Sequence, residues 1–314
     1  MKAPIPFIHR LDEADERLWL EQLSRQMPDE SILPLNKLSD AECKMADIAV
    51  VANPDPEDLK RLPNLVWVHS VWAGVERMVN ELDNPAFRIV RLVDPELSNT
   101  MAEAVLTWSL FLHRDIPDYS LQQQKALWQP LPYVPARERT VGLLGLGELG
   151  KASAERLKSN GFNVIGWSRS QKTIAGVECF SGEEGFESVL NKSDILVCLL
   201  PLTQHTENLL SFESMDLIKP GAKLINFARG KIIDDEALLY ALNTGRLQRA
   251  VLDVFAIEPL PRSHPYWTHP KVSVLPHISA ATSIYSASQI VAQNVRNYRM
   301  LNILPNTVDL QLGY

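Results

Sequence analysis

Three glycines, Gly145, Gly147 and Gly150, lie in the segment TVGLLGLGELG (140–150) with the spacing G-x-G-x-x-G. They follow a predicted strand and precede a predicted helix at Lys151–Ser159. In a dinucleotide fold the first glycine permits a tight turn, the second lets a pyrophosphate approach the backbone, and the third lets the helix pack closely on the strand. The helix N-terminus then offers free N–H groups to the phosphates. The pattern predicts a dinucleotide site rather than a turn without a ligand.

The segment NVIGWSRS (163–170) contains the next predicted strand, and this strand ends where such a fold places the adenosine ribose. NAD enzymes usually have an Asp or Glu here, which accepts hydrogen bonds from the ribose hydroxyls. This chain has Ser168, Arg169 and Ser170. A carboxylate would repel a 2′-phosphate, whereas Arg169 can pair with it bidentately and Ser168 or Ser170 can donate to it. We therefore predict a preference for NADPH over NADH.

Residues suited to acid–base and anion chemistry follow three later predicted strands. Arg229 lies in INFARG (225–230), Asp253 and Glu258 lie in DVFAIEPLP (253–261), and His277 lies in PHISA (276–280). An open α/β sheet binds its ligand outside the carboxyl ends of its strands, which is where these segments fall. Taken singly, each residue could be an ordinary surface or turn residue. Their joint order favours a functional site.

The elements that would position these residues alternate between strands and helices, which predicts parallel sheets with helices on both faces. In the first hundred residues we expect strands at Pro4–His9, Asp47–Ala52 and Leu65–His69, and a helix at Asp12–Gln26. An apolar helix is expected at Met101–His113, a loop at Gln129–Arg139 and a final helix at Ser283–Met300. The strands expected between them are Thr140–Leu144, Asn163–Trp167, Ile195–Leu200, Lys223–Asn226, Ala250–Val254 and Val272–Leu275.

Together, the glycine loop and the three later segments resemble the D-isomer-specific 2-hydroxyacid dehydrogenase family over nearly the whole chain. The segments VWAGVERM (71–78) and WSRS (167–170) resemble its glyoxylate/hydroxypyruvate reductase branch most. The resemblance implies two Rossmann-like, doubly wound parallel-sheet α/β domains. Residues 1–100 and 285–314 would form a discontinuous substrate domain, and residues 101–284 would form the NAD(P)-binding domain.

The resemblance also implies roles for individual residues. Arg229 would hold the substrate carboxylate and polarise the carbonyl, and His277 would protonate the carbonyl oxygen during reduction. Glu258 would pair with the other ring nitrogen of His277, orient the imidazole and keep it protonated near neutrality. Trp72, Ala73 and Gly74 would form a substrate loop, in which backbone N–H groups meet the carboxylate.

Further positions would lie beside the cofactor. Asp253 would sit by the nicotinamide carboxamide, Thr206 could donate to a phosphate or cap a helix, and Met101 is a candidate nicotinamide contact. Glu148 places an acid in the glycine loop, where it must point to solvent or weaken phosphate binding. The full predicted set of cofactor contacts is Gly145, Gly147, Glu148, Leu149, Gly150, Ser168, Arg169, Ser170, Pro201, Thr206, Ala228, Arg229, Asp253, His277 and Ala280.

Composition excludes several other classes of protein. The 314 residues include 31 basic and 38 acidic side chains, and this net charge of −7 disfavours nucleic-acid binding. Cys43, Cys179 and Cys198 are odd in number and lack CxxC spacing, so we expect no disulfide framework and no metal site. The first twenty residues lack a signal-type apolar core, and no apolar run could span a bilayer. We expect a cytoplasmic protein without a membrane partner.

The predicted activity is NADPH-dependent reduction of a small 2-oxo acid, glyoxylate or hydroxypyruvate. A larger substrate such as phenylpyruvate remains an alternative, as does a non-catalytic dinucleotide-sensing protein of the same fold. The apolar helix at Met101–His113, with Trp108 and Phe111, has more apolar surface than one domain needs, and the resemblance implies a homodimer that forms through it.

Overall fold

The structure, a computed structural model, describes residues 2–82 and 85–313. It divides into two units, Met1–Glu96 with Thr282–Tyr314, and Leu97–Ala281. We call these the N-terminal unit and the central unit. Within the described residues, no helix is both long and apolar enough to cross a membrane.

The strands of the described chain form two sheets. They are β1 (Ile5–His9), β2 (Ile32–Pro34), β3 (Ile48–Ala52), β4 (Trp67–Ser70), β5 (Arg88–Val90), β6 (Thr140–Leu144), β7 (Asn163–Trp167), β8 (Glu178–Phe180), β9 (Ile195–Cys198), β10 (Ala222–Asn226), β11 (Leu247–Leu252) and β12 (Val272–Val274). The α-helices are α1 (Glu13–Gln26), α2 (Asp40–Met45), α3 (Pro56–Leu59), α4 (Glu76–Glu81), α5 (Pro95–His113), α6 (Ile116–Gln124), α7 (Glu148–Ser159), α8 (Gly182–Lys192), α9 (Phe212–Leu217), α10 (Asp235–Thr244) and α11 (Ile284–Leu301).

The N-terminal unit contains a parallel five-stranded sheet in the order β2-β1-β3-β4-β5. One face packs against α1 and α11 through residues such as Trp19, Leu23 and Val291. The other face packs against α2, α3 and α4, with Cys43 and Leu59 in that core. The helix α11 comes from the C-terminal segment, so both parts of the unit share one core.

The central unit contains a parallel seven-stranded sheet in the order β12-β11-β10-β9-β6-β7-β8. The chain builds outward from β6 to β8, then returns to the other side of β6 at β9. Helices α5 and α7 cover one face, and helices α8, α9 and α10 cover the other. Both sheets are therefore doubly wound, which confirms the predicted fold class. The crevice at the β6/β9 switch is where such sheets bind ligands.

Several predicted elements needed correction. Helix α5 begins at Pro95, six residues before Met101, because Pro95 suits the first helical position and the Asp94 carboxylate accepts from the Glu96 amide at 2.8 Å. Strand β9 ends at Cys198 rather than Leu200, and β11 runs from Leu247 to Leu252 rather than from Ala250 to Val254. The strands β2, β5 and β8 and the helix α6 were not predicted.

Candidate active site

Arg229, Glu258 and His277 follow three neighbouring strands of the central sheet. Arg229 lies three residues after β10, Glu258 lies six after β11, and His277 lies three after β12. Because β10, β11 and β12 are adjacent and parallel, these segments all leave the same edge of the sheet. The site is thus assembled from three loops at the carboxyl ends of the strands.

The side chains of Glu258 and His277 form a hydrogen-bonded pair. The Oε2 atom of Glu258 lies 2.7 Å from Nδ1 of His277, and its Oε1 atom accepts from the Phe255 amide at 2.9 Å. The carboxylate is therefore held by its own loop and points one oxygen at the imidazole. Within the described residues, Nε2 of His277 has no hydrogen-bond partner, and the side chain is 53% exposed. This geometry leaves Nε2 available to exchange a proton with a ligand.

The backbone of His277 adopts a left-handed conformation, with φ of 56°. This conformation is uncommon for a residue with a side chain and needs support from its surroundings. Asp253, which is buried, supplies that support, because its two carboxylate oxygens accept from the amides of Ile278 at 2.8 Å and Ser279 at 2.9 Å. The sequence predicted Asp253 as a cofactor contact. The structure additionally makes it an anchor of the His277 loop.

Two residues that sequence reasoning missed shape the Arg229 loop. The Oδ1 atom of Asn226 accepts from the Ala228 amide at 3.1 Å, and its Nδ2 donates to the Arg229 carbonyl at 3.0 Å. Gly230 packs so tightly that a Cβ atom there would lie 1.9 Å from the carbonyl carbon of Phe255. The only signal in the sequence was their position within INFARG. Arg229 itself is half-buried, and its Nη1 donates to the Ala228 carbonyl at 2.7 Å.

The glycine loop fits a dinucleotide. Gly145 has φ of 105°, and a Cβ at Gly150 would lie 1.9 Å from the Gly145 carbonyl oxygen, so neither position accepts a side chain. A Cβ at Gly147 would meet nothing within 4 Å, and Gly147 caps α7 without a side-chain hydrogen bond. The loop therefore leaves open space in front of the free N–H groups of a twelve-residue helix.

The two other residues of this loop have different surroundings. Glu148 is exposed, which satisfies the expectation that this acid must point to solvent. Leu149 is half-buried against the core of the central unit. Only the backbone of Leu149 is then suited to contact a phosphate.

At the end of β7 the three predicted residues differ in their environment. The Ser168 side chain is buried, and its hydroxyl donates to the Ser170 carbonyl at 2.8 Å. We predicted that the Ser168 hydroxyl could donate to the 2′-phosphate of the cofactor, but in the structure it donates to a carbonyl within the turn. Arg169 and Ser170 are exposed beyond β7. The turn presents these two side chains and not that of Ser168.

The predicted cofactor contacts Thr206 and Met101 also have partners inside the protein. The Thr206 hydroxyl donates to the Pro201 carbonyl at 2.7 Å and accepts from the Thr203 amide at 2.8 Å, so it closes the loop after β9. It caps no helix, because α9 begins only at Phe212. Met101 is buried in the core formed by α5 and the sheet. Ala228 is buried and Ala280 is half-buried, each against a core of the same unit.

Trp72, Ala73 and Gly74 belong to the N-terminal unit, where Val71 alone separates them from the end of β4. The indole of Trp72 is half-buried and packs edge-on against Trp19, with ring centroids 5.7 Å apart. Trp72 is thus partly a core residue of the N-terminal unit. Its place in a substrate loop stays a prediction.

No group of three or more His, Cys, Asp or Glu side chains could hold a metal ion in the part of the chain that the structure describes. The cysteines Cys43, Cys179 and Cys198 are free thiols. Cys198 is fully buried, and this burial raises the pKa of its thiol to about 12. It is therefore an inert core residue.

Comparison with known proteins identifies relatives of the whole chain. Residues 106–279 match the family model described as "D-isomer specific 2-hydroxyacid dehydrogenase, NAD binding domain". Two curated proteins named glyoxylate/hydroxypyruvate reductase A are similar over 99% of both chains, one from Serratia proteamaculans at 37% identity and one from Yersinia enterocolitica at 36%.

Solved structures give the same result, with complete coverage of both chains. A D-isomer specific 2-hydroxyacid dehydrogenase from Xanthobacter autotrophicus, in complex with NADPH and MES, has a TM-score of 0.93 at 35% identity. An NADPH-dependent glyoxylate/hydroxypyruvate reductase from Sinorhizobium meliloti, in complex with NADP and sulfate, has a TM-score of 0.91 at 30% identity. Similarity therefore extends over both units and not only over the glycine loop.

Proposed function

This chain belongs to the family of D-isomer specific 2-hydroxyacid dehydrogenases, and we propose that it uses NADPH to reduce a small 2-oxo acid to the 2-hydroxy acid. The substrates are glyoxylate, which gives glycolate, and hydroxypyruvate, which gives D-glycerate. The names of its curated relatives support this choice. The observation that carries the proposal is the Glu258–His277 pair at 2.7 Å, next in the sheet to the Arg229 loop.

The cofactor, when bound, supplies a hydride to C2 of the substrate. The backbone of Gly145, Gly147, Leu149 and Gly150 would hold its pyrophosphate at the N-terminus of α7. Ala228, Ala280 and Asp253 would lie beside the nicotinamide half, while the loop from Pro201 to Thr206 would lie beside the adenosine half.

Arg169 and Ser170 would give the preference for NADPH over NADH. Both are exposed immediately beyond β7, and no carboxylate follows that strand before Glu178. A guanidinium and a hydroxyl can bind the 2′-phosphate, which a carboxylate at this point would repel. The Xanthobacter and Sinorhizobium relatives, crystallised with NADPH and NADP, support the same preference.

His277 would act as the acid of the reduction. Its Nε2 gives a proton to the carbonyl oxygen as the hydride arrives at C2, so that the C=O bond becomes a hydroxyl group. Glu258 holds Nδ1 and stabilises the charged imidazole before the proton leaves. In the reverse direction the neutral imidazole takes the same proton back.

Arg229 would bind the substrate carboxylate and polarise the carbonyl. Its planar guanidinium is permanently charged and matches the two oxygens of a carboxylate. The amides of Ala73 and Gly74 are proposed as further donors to the carboxylate, and Trp72 as a wall that limits substrate size.

We also propose that two copies associate through the surface of α5 and the segment after it. Leu110, Leu127, Trp128 and Tyr133 are exposed there, and Trp128 is 98% exposed. Sedimentation velocity should show a dimer that Leu110→Glu converts to a monomer. The matched control Leu301→Glu, at an exposed leucine of the N-terminal unit, should leave the dimer intact. A wild-type monomer would contradict this assembly.

Initial rates of NADPH and NADH oxidation with glyoxylate, hydroxypyruvate, pyruvate and phenylpyruvate test the proposed function. We expect the highest turnover with NADPH and the two small acids. A preference for phenylpyruvate would support the larger-substrate alternative. Cofactor binding without turnover of any acid would instead support the dinucleotide-sensing alternative.

A further inference from the structure

His69, at the carboxyl end of β4, uses both of its ring nitrogens although it is fully buried. Its Nδ1 lies 2.8 Å from the Ser70 carbonyl oxygen, which can only accept, so Nδ1 carries the proton. Its Nε2 therefore accepts from Nδ2 of Asn294, at 2.9 Å. Burial lowers the pKa of His69 to about 4, so the ring is neutral at physiological pH. One tautomer and one ring orientation are thereby selected.

Hydrogen bonds of Ser70 connect His69 to the loop that follows β4. Its hydroxyl accepts from the Trp72 amide at 3.0 Å, while the Trp72 carbonyl accepts from the Leu92 amide at 3.1 Å. The Val71 amide donates to the Val51 carbonyl at 2.9 Å. The backbone from Ser70 to Trp72 is therefore tied to the sheet on both sides.

The next two residues are different. Among the described residues, the amides of Ala73 and Gly74 donate to no protein group, and both residues are half-exposed. Backbone N–H groups that find no partner in the protein are usually satisfied by water or by a ligand. The hydrogen-bonded segment thus ends at Trp72, directly before two donors that have no acceptor among the described residues.

We propose that Asn294, His69 and Ser70 are positioning residues, which hold the Trp72–Gly74 loop in the conformation that presents the Ala73 and Gly74 amides to the substrate carboxylate. This inference rests on the proposed function, because it takes these amides as carboxylate donors. Asn294 lies on α11, so the C-terminal segment of the unit would contribute to substrate affinity without touching the substrate. A loop fixed before binding loses less conformational entropy when the anion binds.

The test compares Ser70→Ala with Ser288→Ala. The first removes the acceptor of the Trp72 amide. The second removes a buried hydroxyl of the same unit that has no hydrogen-bond partner among the described residues, and it serves as the matched control. His69→Phe is a second variant, since it keeps an aromatic ring beside Trp67 and removes both ring nitrogens. It replaces Ser70→Ala in the comparison if that variant does not fold.

The measurements are kcat and KM for glyoxylate with NADPH, the Kd of NADPH, and the Kd of oxalate, a non-reacting dicarboxylate, for the NADPH complex. Ser70→Ala should raise the KM for glyoxylate and the Kd of oxalate about tenfold, because it weakens ground-state binding of the carboxylate. It should leave kcat and the Kd of NADPH within about twofold of wild type. Ser288→Ala should match wild type in all four constants.

Other results would overturn the inference. A Ser70→Ala variant with the same four constants as Ser288→Ala would overturn it. A Ser70→Ala variant that loses affinity for both NADPH and oxalate would also overturn it, because a joint loss indicates general structural damage. A wild-type protein that binds no oxalate would also overturn it, whatever its turnover. If wild type binds oxalate but reduces no 2-oxo acid, the proposed function fails, and the oxalate comparison alone decides the positioning role.

Discussion

Gly230 packs directly against Phe255, and this contact joins the loop of Arg229 to the loop of Glu258. A Cβ atom at Gly230 would lie 1.9 Å from the carbonyl carbon of Phe255 and 2.2 Å from the Ala256 amide nitrogen. Both obstacles are backbone, which cannot swing aside as a side chain could. The spacing between the Arg229 loop and the Glu258 loop therefore depends on a residue that has no side chain.

Gly230→Ala should destabilise the protein by about 1–3 kcal/mol, the usual cost of overpacking, and should lower kcat/KM by at least about tenfold. Gly147→Ala is a useful contrast, because a Cβ there meets no atom within 4 Å. It should preserve stability and weaken NADPH binding. Urea unfolding and steady-state kinetics distinguish the two effects, and a fully active, stable Gly230→Ala protein would contradict the tight contact.

His277→Ala should reduce kcat by about 10²–10⁴-fold, because the reduction would lose its proposed proton donor. NADPH binding, measured by fluorescence titration, should persist. Glu258→Gln should cause a smaller loss, since it keeps a hydrogen bond to Nδ1 but removes the charge that stabilises the imidazolium. Unchanged turnover in His277→Ala would exclude this residue from the chemistry.

Arg229→Lys should be nearly as damaging as Arg229→Ala. Lysine keeps the positive charge but cannot form two parallel hydrogen bonds to a carboxylate. The KM for glyoxylate and kcat should both deteriorate, while the Kd of NADPH changes little. Near-wild-type kinetics in the lysine variant would show that charge alone suffices, and so would contradict a bidentate clamp.

Arg169→Ala should weaken NADPH binding far more than NADH binding, because only NADPH carries the 2′-phosphate. Ser168→Ala is the matched comparison in the same turn. Its hydroxyl donates to the Ser170 carbonyl, so its loss should affect the two cofactors about equally. Equal losses for NADPH and NADH in Arg169→Ala would exclude a contact with the 2′-phosphate.

The buried His69 should make stability depend on pH. Burial lowers its pKa in the folded protein to about 4, against about 6.5 in the unfolded chain, so below pH 6.5 the unfolded state binds a proton that the folded state does not. Stability should therefore fall as the pH drops from about 6.5 towards 4, by on the order of 3 kcal/mol in total. His113 and His269 also have lowered pKa values and add to the wild-type slope.

His69→Phe isolates the contribution of His69 from those of the other histidines. The difference in unfolding free energy between this variant and wild type, measured by urea unfolding from pH 7 to pH 4, should change in favour of the variant as the pH falls. A difference that stays constant over this range would show that His69 does not titrate in the expected way.

The amino-acid sequence by itself determined the features that depend on local pattern. The strands β6 and β7 begin and end where predicted, and α1 begins one residue after the predicted start at Asp12 and ends at Gln26 as predicted. The glycines Gly145, Gly147 and Gly150 predicted the dinucleotide loop, because each position has a local requirement for space or backbone freedom. Neighbouring residues set such features, so hydrophobic period and turn chemistry are enough to find them.

The tertiary structure alone decided the features that depend on distant residues. The strands β2, β5 and β8 have three residues each, and pairing with a neighbouring strand stabilises them. The helix α6 has no buried residue of its own, but its Asp118 pairs with Arg249 at 2.7 Å, across 131 positions of the chain.

The same distinction applies within the candidate site. The order of Arg229, Glu258 and His277 along the chain could be read from the sequence, but their common edge follows from the strand order β10-β11-β12. The sequence did not indicate to which acceptor a given hydroxyl group donates its proton. Ser168 and Thr206 have the right chemistry for a phosphate, yet in the folded chain each donates to a carbonyl. Hydrogen-bond partners are set by three-dimensional proximity, which local pattern does not encode.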